Sequence, residues 1–182
     1  MSDATVADVD VGVAADDRDL EQILALQRRS LVPGEDGFVT VRHSLDGLRA
    51  LHAAMPSVVA RHRGEVVAYA LSMPREARVL LPVLAPMFVR LDALAVLPAG
   101  RSYVMGQVCV DPSWRGRGLF DRLYAEHRAR YADRFEWLVT EIAMRNPRSR
   151  KAHARVGFVE IDHYRDDTDE WSVVGWCFAT GP

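Results

Sequence analysis

The stretch VCVDPSWRGRGL, residues 108–119, decides how the rest of the chain is interpreted. An apolar run typical of a strand breaks at Pro112 and passes through an arginine-glycine loop into a helical pattern that begins at Leu119. Glycines let such a loop turn tightly, and the helix after it points unpaired N–H groups and its positive dipole end at the same place. The stretch therefore predicts a phosphate-binding site, to which Arg115 and Arg117 add positive charge.

Composition limits the classes of protein that the chain belongs to. Its 182 residues, 49% hydrophobic and 26% charged, are typical of one globular domain. A net charge of -2 argues against a general nucleic-acid binder, although residues 145–155 are locally basic. Cys109 and Cys177 stand alone, so neither a disulfide framework nor a metal site is expected. An acidic start and apolar runs too short to span a bilayer predict a cytoplasmic protein without membrane contact.

Apolar periodicity and turn residues predict an alternation of strands and helices. Strands are expected over residues 9–14, 57–62, 65–73, 103–110, 136–144, 158–165 and 170–179. Helices are expected over residues 17–31, 45–55, 119–132 and 148–156, the last capped by Gly157, with a loop at residues 33–37. Residues 74–100, apolar but broken by prolines, are expected to form a helical turn and a loop. The order strand, helix, strand over residues 103–144 predicts a parallel pair and an α/β (α+β) fold.

Two sequence blocks resemble the GNAT superfamily of acyl-CoA-dependent N-acetyltransferases. The loop RGRGLF at residues 115–120 is similar to the family's pyrophosphate loop, Arg/Gln-x-x-Gly-x-Gly/Ala, which follows a central strand. Phe120 stands where the family has a small residue, so its ring is expected to turn away from the ligand. The block NPRSRKAHARVGF at residues 146–158 is similar to the family's Asn-led helix ending in Gly-Phe. Two blocks in this order are far more specific than either alone.

The resemblance covers roughly residues 57–178 and implies a fold and a co-substrate. The implied GNAT fold has a mixed central sheet of about six to seven strands, helices on both faces and central parallel strands that splay apart. It implies a single domain over residues 1–182, in which residues 1–56 form variable acceptor-side helices and residues 57–178 the acyl-CoA-binding core. Acetyl-CoA is the implied co-substrate, and no metal is expected.

Three segments are expected to bind the acyl-CoA: the central strand, the arginine-glycine loop and the Asn-led helix. On that helix Asn146, Ser149, Arg150 and His153 share one side and would face an elongated ligand. The alternative for this side of the helix is a solvated polar face. The expected binding residues are Val108, Cys109, Val110, Arg115, Gly116, Arg117, Gly118, Leu119, Phe120, Asn146, Ser149 and Arg150.

Glu141 and His153 are the candidate catalytic residues. Glu141 interrupts an apolar strand, where a carboxylate is costly unless it is paired or used, so it would accept a proton from an attacking amine. The alternative is a pair with an arginine or a hydrogen bond to Gln107. His153 stands where many relatives carry a tyrosine thought to protonate the departing thiolate. The alternatives are that it only orients the sulfur or that it packs near the helix end.

The expected reaction is transfer of an acetyl group from acetyl-CoA to a primary amine by direct attack. Backbone N–H groups near Val108 and Val110 would stabilise the developing oxyanion. A packing role for Cys109 is favoured over covalent catalysis, because no base is identifiable beside it. The acceptor, a small molecule or a peptide amine, would lie among the N-terminal helices, residues 33–38 and residues 74–100. A non-catalytic acyl-CoA sensor is the alternative function; nucleic-acid binding is less favoured, and a homodimer stays open.

Overall fold

In the computed structural model, residues 8–31, 39, 41–98 and 100–179 are described. The loop predicted at residues 33–37, and the acceptor-side segment that extends it to residue 38, lie outside the described residues. The other predicted elements lie within them.

One seven-stranded mixed sheet runs through the structure in the order β1-β2-β3-β4-β5-β7-β6. Every neighbouring pair is antiparallel except β4 and β5, which are parallel as the sequence predicted. Each strand begins and ends within two residues of its predicted bounds. The strands are β1 (Val9–Val13), β2 (Val58–His62), β3 (Glu65–Pro74), β4 (Ser102–Val110), β5 (Trp137–Ala143), β6 (Val159–Arg165) and β7 (Glu170–Cys177).

In the described part of the chain, five α-helices cover the two faces of the sheet. Four of them were predicted, and the last ends at Gly157 as expected, with a φ of 114° at that residue. The first begins at an N-cap, Asp16, whose side chain accepts from Asp19 N. The helices are α1 (Asp17–Ser30), α2 (Leu45–Ala54), α3 (Ala85–Ala93), α4 (Leu119–Tyr131) and α5 (Pro147–Val156).

The segment at residues 74–100 contains more helix than the sequence predicted. Two 3₁₀ turns, Arg75–Leu80 and Pro82–Leu84, lead into α3, which is 9 residues long. Pro82 and Pro86 lie in the first turns of their elements, where a missing N–H costs no intrahelical hydrogen bond. The prolines therefore start these helices instead of breaking them.

The sheet separates two apolar cores, one on each of its faces. On the first face, α1, α2 and α3 pack on the sheet through buried residues such as Ile23, Leu48 and Phe88. On the second face, α4 packs through Leu119, Leu123 and Tyr124, and α5 lies beside it.

The parallel strands β4 and β5 stay together only at their beginnings. Their last pair in register is Val104 with Val139, and the Thr140 hydroxyl donates to Met105 O (2.9 Å) just beyond it. A bulge at Gly106 shifts the register of β4 against β3 at the same level. The strands then separate and leave a gap between them, as the splayed pair of the expected fold does.

Candidate active site

The gap between β4 and β5 opens into a cleft of about 490 Å³ that extends past the arginine-glycine loop. A smaller cavity of about 70 Å³ contains Glu141 and His153 in its lining. Val39, Val108, Asn146 and Ser149 line both spaces, so the two adjoin. The candidate catalytic residues thus lie beside the candidate binding cleft.

The loop before α4 presents backbone to the cleft. Gly116 and Gly118 have φ values of 73° and 76°, in the left-handed region that favours glycine. A Cβ at either position would meet nothing within 4 Å, so both face open space. Gly118 is the N-cap of α4, and no side chain caps this helix. The first-turn amides of α4 are therefore directed at the place where an anion would bind.

Cations surround the same end of the cleft. Arg115 lines it and donates through Nε to Val110 O (3.2 Å). Arg148, Lys151 and Arg155 of α5 also line it, and Arg155 pairs with Asp121 (2.8 Å). These groups give the cleft the positive charge that a diphosphate and a further phosphate would need.

Ten of the twelve expected binding residues line the cleft. Arg117 and Arg150 are not among the lining residues; the Arg117 guanidinium lies 5.0 Å from the centre of the Trp114 ring. Three cations of α5 that were not predicted as binding residues also line the cleft. They are Arg148, Lys151 and Arg155, whose spacing of three and four residues places them on one side of the helix. The expected residues that line the cleft are Val108, Cys109, Val110, Arg115, Gly116, Gly118, Leu119, Phe120, Asn146 and Ser149.

The backbone of β4 turns unpaired donors toward the gap. Asp111 N donates to Val67 O on β3 (2.9 Å). Because the N–H direction alternates along an antiparallel strand, the amides of Val108 and Val110 point the other way, toward β5. The register of β4 with β5 ends at Val104, so the gap separates those amides from β5.

Glu141 lies on the first face of β5 and is half-buried. The Tyr164 hydroxyl on β6 donates to its Oε2 (2.5 Å). Burial raises the pKa of Glu141 to about 7; the Tyr164 hydrogen bond acts in the opposite direction, and the charge of Asp166 adds to the rise. A carboxyl group with this pKa exchanges protons readily at neutral pH.

Gln107, the alternative partner considered for Glu141, is engaged elsewhere. Its Oε1 accepts from Gln27 Nε2 (2.8 Å) and from the Tyr69 hydroxyl (2.6 Å). Its Nε2 donates to Val41 O (2.8 Å). This buried network joins β4 to α1 and to the segment at residues 41–43, and it borders the cavity that contains Glu141.

His153 is buried between α4 and α5. Its Nδ1 lies 2.8 Å from Ser149 O. Because a carbonyl oxygen only accepts, Nδ1 carries the proton and donates it. Its Nε2 lies 2.7 Å from the Tyr124 hydroxyl. Burial lowers the pKa of His153 to about 4. The imidazole is therefore neutral at pH 7, with both nitrogens engaged, an arrangement that fits the packing alternative.

Aromatic rings surround His153. The Phe120 ring centre lies 5.0 Å from those of both Tyr124 and His153, and Phe158 lies 5.0 Å from His153 on another side. Phe120 is thus held by the protein through its ring, which leaves its amide at the start of α4.

Cys109 is a buried thiol whose Sγ donates to the Ser30 hydroxyl (3.1 Å). Burial raises the pKa of Cys109, so the thiol stays protonated at neutral pH. This environment favours packing over nucleophilic catalysis.

Neither a cluster of metal ligands nor a membrane-spanning helix is found among the described residues. In that part of the chain, no group of three or more His, Cys, Asp or Glu residues is placed to hold a metal ion. None of the helices described has the length and apolar character needed to cross a membrane.

Comparison with known proteins agrees with the geometry. Residues 20–158 match the model of the Acetyltransferase (GNAT) family, and no curated protein matches the chain. Ard1 from Thermoplasma volcanium superposes with a TM-score of 0.69 at 14% identity, over 93% of this chain and 97% of its own. The ribosomal-protein-S18-alanine N-acetyltransferase from Escherichia coli gives 0.67 at 12% identity, over 96% of both chains. For yncA from Salmonella typhimurium, whose structure holds acetyl-CoA, the values are 0.66, 15% and 94% of both chains.

Proposed function

This chain belongs to the GNAT acetyltransferase family, and from that premise we propose that it transfers an acetyl group from acetyl-CoA to a primary amine by direct attack. The observation that carries the proposal is the cleft at the end of β4, which adjoins the cavity between β4 and β5. It has an uncapped helix N-terminus among cations at one end and a half-buried carboxylate in the adjoining cavity.

The residues present fit acetyl-CoA. The first-turn amides of α4 and the Arg115 guanidinium would bind the diphosphate, and Arg148, Lys151 and Arg155 would neutralise the remaining phosphate charge. Glycine at positions 116 and 118 lets the diphosphate approach the backbone closely. The pantetheine arm would lie along Val108 and Val110 and bring the thioester to the cavity that contains Glu141.

The amides of Val108 and Val110 would stabilise the thioester oxygen as it gains charge. They are fixed by the strand and need no rearrangement when the tetrahedral intermediate forms. Removing one such donor in other enzymes costs about a hundredfold in rate or more. Because these donors belong to the backbone, they do not depend on any single side chain.

Glu141 would act as the general base. A primary amine with a pKa of about 10 arrives as ammonium and must lose a proton before or during attack. Glu141 takes this first proton and releases it to solvent. The nitrogen–carbon bond then forms, the nitrogen gives its second proton to Glu141, and the carbon–sulfur bond breaks. The departing thiolate, with a reference pKa of about 8.5, is more basic than a Glu141 carboxylate with a pKa of about 7. The same proton can therefore pass to the sulfur, so the reaction needs no separate acid.

His153 would support the site without exchanging protons. It joins α4, which carries the anion cradle, to α5, whose N-cap is Asn146. Asn146 Oδ1 accepts from Ser149 N (3.2 Å), and both residues line the cleft and the small cavity. The His153 bonds would fix the distance between the two helices across the bound acetyl-CoA.

The acceptor would enter from the first face, among α1, α2 and α3. A small-molecule amine and a peptide amine both remain candidates, and the low identity to the compared structures transfers no acceptor to this chain. A cytoplasmic location and the absence of a nucleic-acid or membrane partner belong to the proposal on sequence grounds alone. A non-catalytic acyl-CoA sensor is the second candidate; we favour the enzyme because Glu141 is held in a cavity that adjoins the cleft.

Release of free thiol from acetyl-CoA in the presence of a panel of amines tests the proposal. We expect thiol release that depends on the amine, on the enzyme and on Glu141. Tight binding of acetyl-CoA without release with any amine in a broad panel would favour the sensor. Absence of acetyl-CoA binding by calorimetry would overturn both.

A further inference from the structure

Helix α3 belongs to an insertion at residues 74–100, and its Arg90 side chain contacts strand β6. Its Nε and Nη2 donate to the two carboxylate oxygens of Asp162, at 2.6 and 2.8 Å. The same guanidinium lies over the ring of Tyr164, 5.9 Å from its centre. Asp162 and Tyr164 are two residues apart, so they share one face of β6 and meet Arg90 together.

Tyr164 connects the Arg90–Asp162 ion pair to Glu141. Its backbone pairs with Trp171 on β7, while Glu141 pairs with Val173 on the other edge of the same strand. The Tyr164 side chain therefore crosses β7 to bring its hydroxyl to the Glu141 carboxylate (2.5 Å). A ring that spans a strand in this way must be held along its length if its hydroxyl is to stay in place.

We propose that Arg90 is a positioning residue for the acetyl transfer: it holds Tyr164 between its guanidinium and β6, and so keeps the Tyr164 hydroxyl on the Glu141 carboxylate. This inference rests on the proposed function, in which Glu141 is the base. The insertion at residues 74–100 would then influence the pKa of the base Glu141 and also border the acceptor side.

The ion pair is not needed to dock α3. Met87, Phe88 and Leu91 on the same helix are each only 1% exposed and anchor it in the core of the first face. The Arg90 side chain is 44% exposed, and exposed ion pairs contribute little to stability. The bidentate geometry and the stack on Tyr164 are therefore better explained by an effect on Tyr164 than by an effect on folding.

The other charged groups around Glu141 among the described residues are few. Asp166, in the turn after β6, raises the pKa of Glu141, while the Tyr164 hydroxyl lowers it. His153 of α5 shares the cavity and is neutral at pH 7, and Gln107 of β4 does not titrate. Loss of the Tyr164 hydrogen bond is therefore expected to move the pKa of Glu141 upward.

The test measures that pKa directly, without an acceptor. Enzyme labelled with ¹³C at the glutamate carboxyl carbons is titrated by NMR, and Glu141→Gln assigns the Glu141 signal by its loss. A hydrogen bond to a charged group is worth about 1.5 kcal/mol or more, so Tyr164→Phe is expected to raise the pKa by about one unit. Arg90→Gln is expected to raise it by about half as much, and the double variant no further than Tyr164→Phe alone.

Arg78→Gln is the matched control. It breaks an ion pair of the same insertion, that of Arg78 with Asp92 (2.6 Å), but touches neither Tyr164 nor Asp162. An unchanged Glu141 pKa in Arg90→Gln, or an equal rise in Arg78→Gln, overturns the inference. The base assignment is tested separately by the pH dependence of kcat/KM in Glu141→Gln, so failure of either idea can be recognised on its own.

Discussion

The Tyr124 hydroxyl and His153 Nε2 lie 2.7 Å apart in the buried space between α4 and α5. Because Nδ1 of the same ring is at the Ser149 carbonyl (2.8 Å), the hydroxyl is the donor and the imidazole the acceptor. A neutral histidine therefore links α4, the helix after the arginine-glycine loop, to α5 on the other side of the cleft. This relationship favours a structural role for His153 over a catalytic one.

Replacing His153 with Phe is expected to reduce stability more than chemistry. The Tyr124 hydroxyl would be left buried without its partner, which costs about 1–3 kcal/mol of unfolding free energy. Tyr124→Phe should restore most of that loss in the double variant, because both polar partners are then removed together. Urea denaturation of the four proteins measures the cycle. A kcat/KM profile that loses a titration step in His153→Phe, but not in Tyr124→Phe, would instead make His153 an acid.

Acid is expected to destabilise the protein from pH 6.5 downward. Burial lowers the pKa of His43 and His153 to about 4 and that of His127 to about 3, from an ordinary 6.5. Between pH 6.5 and 4 the unfolded chain therefore binds protons that the folded chain does not bind. The free energy of unfolding falls over this range by up to about 1.4 kcal/mol per pH unit for each histidine. Glu141, with its pKa raised to about 7, opposes this over part of the range. Chemical denaturation at several pH values should show a shallower slope for His153→Phe than for the unaltered protein.

Local signals were sufficient to predict most of the fold. The turn between β2 and β3 follows from Arg63 and Gly64, which take φ values of 52° and 80° in a tight hairpin. The bulge at Gly106 had a weaker signal, a single glycine inside an otherwise apolar strand, and the sequence prediction treated the strand as regular. The bulge reverses the alternation, so that Val104 and Cys109 share the first face although they are five residues apart. Only the pairing with β3 reveals it.

The residues of the candidate binding cleft were easier to predict from the sequence than the residues that contact Glu141. The loop at residues 115–120 and the helix after it are contiguous, so their joint geometry is local. Tyr164 lies 23 residues after Glu141, and the two meet only because β7 is inserted between β5 and β6 in the sheet. Strand order is set by the packing of the whole domain, and a single sequence gives no direct signal for it. The same holds for the contact of Arg90 with β6.

Cys109 is expected to take no part in covalent chemistry. Its thiol stays protonated and donates to Ser30, so incubation with acetyl-CoA alone should leave no acetyl adduct on the protein in mass spectrometry. Cys109→Ser should retain kcat within about tenfold, because the thiol takes no part in the chemistry. A covalent mechanism would instead lose most of its rate, since serine is a far weaker nucleophile. An acetylated Cys109 that is consumed on adding the amine would replace direct transfer with a two-step mechanism.

Glu141→Gln is expected to slow the reaction mainly at neutral pH. The unaltered enzyme should show kcat/KM rising through an apparent pKa of about 7, and the variant should be slower by about a hundredfold to ten-thousandfold. The difference should shrink as the pH approaches the pKa of the amine, since more of the amine then arrives neutral and has only one proton left to lose. Glu160→Gln is the control, because Glu160 is an exposed carboxylate on the other face of the sheet. Equal activity of Glu141→Gln at every pH would return Glu141 to a structural role.

Gly118→Glu is expected to abolish binding of acetyl-CoA. The new side chain would enter the open space before α4 and set a negative charge against the diphosphate, so calorimetry should show an affinity lower by about a hundredfold or more. The variant is also strained, because φ is 76° at this position. Gly64→Glu provides the control: φ is 80° there, a Cβ meets nothing within 4 Å, and the hairpin turn does not line the cleft. Both variants should lose similar stability, whereas only Gly118→Glu should lose acetyl-CoA. Equal affinities in the two would place the diphosphate elsewhere and remove the basis of the proposed function.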